Sequence, residues 1–309
     1  MPFHFYVAGS LLAAVVVAAY PPNTEAGEPA GSFCCDAKPI KCYRQGSWWI
    51  AISESFQVCS LRGMGDAKLA ANRCEEVRAA LNRTWQLSTN GAPWRPKCQV
   101  ILHPAARSYV AAVGRGSELT VGSSLVVPRT GVITSRRIDL RADVPRYLEV
   151  ALPHELCHLL VADRFRDGPA PLWYDEGMAL LADQPEKLKL HERDLREGLR
   201  RRTTYRMHEL FAVETYPAAE RMGVFYGQCA ALTQLLLTQG TPAQLHEFVT
   251  IVPTVGANGA LQSTYGIAGV AELEAKWANS YQELRLRTVA SLLLTQNAGE
   301  RFGFASVME

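Results

Sequence analysis

Short apolar runs in the first half of the chain give way to longer helical periods in the second half. The strand-like runs lie at 48–53, 56–60, 98–103, 120–127 and 131–141. Helical spacing of apolar residues covers 67–85 in the first half. The runs at 120–127 and 131–141 predict a β-hairpin, whose second arm would be an edge strand, either protected by its own arginines or open to pairing with a substrate. The first half therefore predicts a small mixed sheet with helices.

From residue 145 onward the apolar positions follow the helical period. The predicted helices cover 145–163, 173–183, 185–202, 222–239, 242–251 and 270–295. Pro153 falls inside the first, where it would either kink that helix or begin a new one. An α+β protein with a mainly helical C-terminal half follows from this pattern.

Composition and charge narrow the class of protein. The chain has 309 residues, 48% of them hydrophobic and 20% charged, which is enough for one or two globular domains. Thirty-two Lys and Arg face 30 Asp and Glu, so the net charge is only +2. Nucleic acid is therefore not an expected partner, because binding it through phosphate contacts requires a larger basic excess.

The N-terminus predicts export. Residues 7–19 form an apolar stretch of 13 residues, which suits a signal peptide with cleavage after Ala19 or Ala26. An uncleaved anchor over the 18 residues of 3–20 is the alternative, and no later stretch of sequence predicts membrane insertion. We expect a periplasmic, secreted or envelope-associated protein.

Five segments follow from these patterns. They are a signal peptide at 1–26, a Cys-, Pro- and Gly-rich segment at 27–46, an α+β sheet subdomain at 47–144, a helical subdomain at 145–295 that carries the candidate site, and a tail at 296–309. Six of the eight cysteines precede residue 100: Cys34, Cys35, Cys42, Cys59, Cys74 and Cys98. Export favours disulfides of unassigned pairing among them, and the absence of any CxxC argues against structural zinc.

The string His154-Glu155-Leu156-Cys157-His158 carries the candidate chemistry. On a helix, residues four apart share a face, so both imidazoles can reach one ion. Two imidazoles, one carboxylate and a water form a tetrahedral Zn²⁺ site, with Glu155 as general acid and base. An ordinary amphipathic helix is the alternative interpretation of this string.

Glu176 is the expected third ligand. Val161 and Arg164 occupy the positions where a metzincin needs Gly and His, which excludes that class. Glu176 lies 18 residues beyond His158, far enough for the helix to end, the chain to reverse and a second helix to begin. A capping acid at the start of that helix is the alternative role.

With these motifs the chain resembles the gluzincin metallopeptidases, in particular the peptidase MA-like family. The resemblance covers about residues 130–285 and lies in LPHELCHLL (152–160), PLWYDEGMALL (171–181), FYGQCAALTQLLL (225–237) and YGIAGVAELEAKW (265–277). It implies a zincin-like fold and a hydrolase with one Zn²⁺ bound by His154, His158 and Glu176. The amine-binding GxMEN string of related aminopeptidases is absent, so endopeptidase action is favoured.

The resemblance suggests one further site residue, and position along the chain suggests two more. Gluzincins often supply a Tyr or His from beyond the third ligand, so Tyr226 is expected to donate to the oxyanion of the transition state, with a core residue as the alternative. Asp175 and Asp183 are candidates for orienting the imidazoles, or else capping or solvent-exposed acids. The expected function is an exported zinc metallopeptidase acting on peptides or proteins. The alternative is a non-catalytic binding or structural module on the same scaffold.

Two positions depart from the family pattern. Cys157 replaces a common Thr, and Cys229 replaces a common Ser. Because two unlinked changes to Cys are less expected than one linked change, the sequence predicts a disulfide between them. Two buried free thiols are the alternative.

Overall fold

The computed structural model describes residues 6–8, 40–87, 91–166 and 168–281. It divides the chain into two compact units, Met1–Val77 with Ala92–Leu152 and Arg78–Gly91 with Pro153–Glu309. Most of the predicted signal peptide, Cys34, Cys35 and the predicted tail lie outside the described residues. The protein is a mixed α+β protein, with its sheet in the N-terminal half and a mostly helical C-terminal half.

The first unit is built on a mixed sheet. Its strands are β1 (Tyr6–Ala8), β2 (Lys41–Gln45), β3 (Trp48–Ile52), β4 (Phe56–Ser60), β5 (Cys98–His103), β6 (Gly122–Arg129) and β7 (Val132–Arg141). Their order is β1-β6-β7-β5-β4-β3-β2. β5 runs parallel to both β4 and β7, and the other neighbours are antiparallel. The predicted strands are thus present, with β1 and β2 in addition.

β2 lies within the Cys-, Pro- and Gly-rich segment at 27–46, where the sequence pattern predicted no strand. Lys41–Gln45 pairs with β3 through the tight turn at Gly46, whose φ of 58° suits glycine. Arg44 lies directly opposite Trp49, and its guanidinium sits 5.5 Å from the Trp49 ring centroid. Main-chain pairing and this cross-strand contact hold an edge strand that apolar periodicity does not reveal.

The predicted hairpin is present, but its second arm is not an edge strand. β7 is hydrogen-bonded to β6 on one side and to β5 on the other. Because both edges of β7 are paired, this strand cannot pair with a substrate backbone. The side chain of Asp139 on β7 is buried and accepts hydrogen bonds from Arg137 at 2.7 Å, and it lies 2.7 Å from Nε2 of His103 on β5.

Three helices lie wholly or mostly in the first unit. They are α1 (Met64–Trp85), whose last turns belong to the second unit, α2 (Ala106–Val113) and α3 (Tyr147–Val150). The sequence did not predict α2, which has only eight residues. Its Tyr109 is fully buried, and the Tyr109 hydroxyl lies 2.7 Å from the hydroxyl of Thr120.

The second unit is helical. Its helices are α4 (Leu152–Arg164), α5 (Leu172–Leu181), α6 (Pro185–Arg201), α7 (Met207–Phe211), α8 (Ala219–Gln239), α9 (Pro242–Tyr265) and α10 (Val270–Tyr281). α7, with five residues, was not predicted, and α9 continues beyond the predicted end at 251 through a break at Gly256. Within the part of the chain that the structure describes, no helix combines the length and apolar content needed to cross a bilayer.

α5 forms the centre of the second unit. Residues 173–181 are all buried, and α5 packs closely on α8. At Gly177 a Cβ atom would lie 2.7 Å from the carbonyl oxygen of Cys229, so only glycine allows the two helices to approach this closely. This close packing fixes the position of α5, which carries the predicted acidic ligand.

Candidate metal centre

His154 and His158 lie together on the first turns of α4. The short helix α3 ends at Val150, and α4 begins at Leu152, so Pro153 lies in the first turn of a new helix and does not kink a longer one. The two imidazole centroids are 4.8 Å apart. The four-residue spacing thus brings both rings to one place.

Glu176 joins them from α5. One ligand atom from each of His154, His158 and Glu176 lies within 4.8 Å of the others. Glu176 is only 1% exposed, and its Oε2 atom has no hydrogen-bond partner among the described residues. An unpaired buried carboxylate oxygen is costly, and a metal ion would satisfy it.

A carboxylate lies behind each imidazole. Nδ1 of His154 is 3.1 Å from Oδ2 of Asp183, and Nδ1 of His158 is 2.9 Å from Oδ1 of Asp175. A proton on Nδ1 facing a carboxylate leaves the lone pair on Nε2, the atom that can bind a metal. Asp175 and Asp183 therefore lie where the sequence predicted orienting residues.

Asp183 also forms an ion pair with Lys187. The Lys187 Nζ atom is 2.8 Å from Oδ2 of Asp183, one helical turn away. Burial opposes ionisation of Asp183, but His154 and Lys187 outweigh it and hold the Asp183 pKa below its usual value. The Asp183 carboxylate thus stays charged behind His154.

The electrostatic field at His158 favours a cation. Burial opposes charge on the ring, but Asp175, Glu176 and Glu155 more than offset this effect and raise the His158 pKa to about 10. Their negative charge attracts a proton, and it would attract a divalent ion at the same place.

Glu155 follows His154 on α4 and is 6% exposed. Its negative charge contributes to raising the pKa values of His158, Lys187 and Tyr226, so the Glu155 carboxylate lies within electrostatic reach of these three side chains.

Two tyrosines flank Glu176. The Tyr216 hydroxyl donates a hydrogen bond to Oε1 of Glu176. Tyr226, the sequence-based candidate, packs its ring against His191 at 5.4 Å and Phe225 at 5.8 Å, and its hydroxyl makes no hydrogen bond with any described residue. Burial and Glu176 raise the pKa of both phenols, so both remain hydrogen-bond donors at neutral pH.

The sequence did not identify Tyr216 or His191 as site residues. Tyr216 lies between α7 and α8, 40 residues beyond Glu176, where no spacing rule connects the two. His191 lies on α6, and neither of its ring nitrogens has a hydrogen-bond partner in the described ranges. Burial lowers the His191 pKa most, and the positive charge of Lys187 lowers it further, to about 4. This ring is therefore neutral at pH 7.

The predicted disulfide between Cys157 and Cys229 is not present. Both are fully buried free thiols. The backbone of Cys229 lies against Gly177 of α5, the helix on which α8 packs. Cys42, Cys59 and Cys74 are also free thiols, so the expected pairing among the early cysteines is not seen for them. For Cys157 and Cys229 the alternative of two buried free thiols is the one observed.

The residues of this cluster fit a zinc ion in number and type. Two imidazoles with backing carboxylates and one buried carboxylate oxygen are a common set of three protein ligands for catalytic zinc. Comparison of the chain with models of known protein families and with curated proteins finds no match. Assignment of a function therefore rests on the cluster itself.

Proposed function

We propose that the protein is an exported zinc metallopeptidase of the gluzincin type, with a zincin-like fold and endopeptidase action on peptides or proteins. The observation that carries this proposal is the convergence of His154, His158 and Glu176 within 4.8 Å, beside Glu155. In this proposal the first three residues hold one Zn²⁺.

Each residue has a role that follows from its position. A bound zinc ion would polarise the scissile carbonyl and activate water near neutral pH. Glu155 takes a proton from that water and passes it to the leaving amine. The Tyr226 hydroxyl, which no described residue engages, donates to the developing oxyanion. Asp175 and Asp183 keep the imidazoles in the binding tautomer.

The buried carboxylate of Glu155 favours an enzyme over a non-catalytic scaffold. Glu155 is 6% exposed, lies near His158 together with the acidic side chains of Asp175 and Glu176, and is not one of the three proposed ligands. Keeping this negative charge buried costs free energy. A module that uses zinc only for structure gains nothing from a buried negative charge at Glu155.

The test compares the wild-type protein with Glu155→Gln and His154→Ala. We expect one zinc per wild-type chain and cleavage of an internally quenched peptide library. Glu155→Gln should keep the zinc and lose activity by at least roughly 10²-fold, whereas His154→Ala should lose both. Wild-type protein that binds zinc but cleaves no peptide would favour the binding module. Wild-type protein that takes up no zinc would contradict the metal site.

A further inference from the structure

The two oxygens of the Glu176 carboxylate have different surroundings. Oε1 accepts the hydrogen bond from Tyr216, whereas Oε2 is buried and has no hydrogen-bond partner among the residues described. On the basis of the proposed zinc site, we propose that Tyr216 is a positioning residue. It holds Glu176 so that Oε2 alone binds the metal.

The physical basis is restriction of the carboxylate. A glutamate side chain has three rotatable bonds, and its two oxygens can bind a metal singly or together. A phenol hydrogen bond to one oxygen fixes the plane of the group and leaves the other oxygen as the ligand. Because α5 is packed on α8, the backbone of Glu176 is already fixed. Tyr216 then restricts the remaining side-chain freedom.

Tyr216 reaches this position from outside the helices that carry the ligands. It lies in the segment between α7, which ends at Phe211, and α8, which begins at Ala219. Tyr216 precedes Pro217, and a residue before proline favours an extended backbone. The connection between two helices thus contributes a contact to the metal ligand.

Tyr216 and Tyr226 have separate tasks in this arrangement. Tyr216 uses its hydroxyl on Glu176, whereas the Tyr226 hydroxyl makes no hydrogen bond with described residues. The first hydroxyl should therefore affect metal binding, and the second should affect turnover. The same substitution, Tyr to Phe, tests both residues.

The experiment measures Zn²⁺ affinity by competition with a chromophoric chelator for the wild-type chain, Tyr216→Phe, Tyr226→Phe and Tyr205→Phe. Tyr205 is the control, because its ring packs against Arg221 and Phe225 and keeps those contacts as Phe. We expect Tyr216→Phe to weaken Zn²⁺ binding by roughly 10-fold to 100-fold. The other two variants should bind zinc as the wild type does.

A second readout separates positioning from a role in folding. The visible spectrum of the protein saturated with Co²⁺ reports how the carboxylate coordinates, and it should change in Tyr216→Phe alone. If Tyr216 served only the fold, Tyr216→Phe would lower the unfolding temperature of the metal-free protein and leave both zinc affinity and the spectrum unchanged. That result would overturn this inference and leave the proposed function standing. Wild-type protein without zinc binding would overturn both.

Discussion

The Tyr174 hydroxyl lies 2.7 Å from Nδ1 of His246, and Nε2 of the same ring lies 2.6 Å from the carbonyl oxygen of Trp85. The carbonyl can only accept, so Nε2 carries the proton and Nδ1 accepts from Tyr174. His246 is thereby a fully satisfied, neutral and buried imidazole. It connects α9 to α5 and to the last turn of α1.

The neutral state of His246 predicts loss of stability in acid. Burial lowers the His246 pKa from 6.5 to about 4, although the Trp85 carbonyl partly opposes this. Between these values the unfolded chain binds the proton and the folded chain does not. The contribution of the neutral His246 ring to the free energy of unfolding is therefore complete above pH 6.5. Roughly 2–3 kcal/mol of that free energy is lost as the pH falls toward 4.

Urea unfolding at pH 7, 5.5 and 4.5 would check this prediction. His246→Gln should be less stable than wild type at pH 7, and the difference should shrink at lower pH. His208→Gln, at an exposed position, is the control and should keep the wild-type pH dependence. An equally steep acid loss in His246→Gln would contradict the assignment to His246.

Asp183→Asn is predicted to weaken zinc binding. The substitution removes the charge that holds the proton on Nδ1 of His154, and it leaves Lys187 beside that ring without its ion pair. We expect a loss of zinc affinity of roughly 10-fold to 100-fold. Asp194→Asn on the same helix as Lys187 is the control, because Asp194 pairs only loosely with Arg193 at 3.4 Å. Equal zinc affinities in the two variants would argue against a role of Asp183 in orienting His154.

The sequence could predict that His154, His158 and Glu176 come together because the geometry of this cluster is local. The four-residue spacing of His154 and His158 follows from the helix period, and Glu176 needs only one chain reversal to reach them. Tyr216 could not be predicted, because its contact with Glu176 depends on how the α7–α8 connection packs. The strand Lys41–Gln45 was missed for a related reason, since main-chain pairing with β3 needs no apolar period.

The disulfide prediction was wrong because it rested on residue identity alone. Two cysteines in matching strings say nothing about which way their side chains point. Since Cys157 and Cys229 are buried free thiols, we predict that native protein resists alkylation at both and that denatured protein reacts fully. Burial also raises both thiol pKa values, which keeps the reactive thiolate scarce. Peptide mapping by mass spectrometry without reductant would check this, and a Cys157–Cys229 linked peptide would contradict it.

Gly177→Ala is predicted to separate α5 from α8. An added Cβ would lie 2.0 Å from Oγ1 of Thr233 and 2.7 Å from the Cys229 carbonyl oxygen. The first clash could be relieved by a side-chain change, but the second involves backbone and requires a helix to move. Overpacking of this kind costs about 1–3 kcal/mol or more. Because Glu176 is the neighbouring residue, movement of α5 should also weaken zinc binding.

Two further variants distinguish the close approach of α5 and α8 from a general effect of replacing a helical glycine. Gly65→Ala on α1 meets no atom within 4 Å, so it should be neutral or slightly stabilising in urea unfolding. The double variant Gly177→Ala with Thr233→Ala removes the clash with Oγ1 of Thr233, so it should recover part of the lost stability. The remaining deficit reflects the contacts that stay, at 2.7 Å to the Cys229 carbonyl oxygen and at 2.9 Å to the Cβ atom of residue 233. Full recovery of both stability and zinc affinity would show that the backbone approach does not set the position of Glu176.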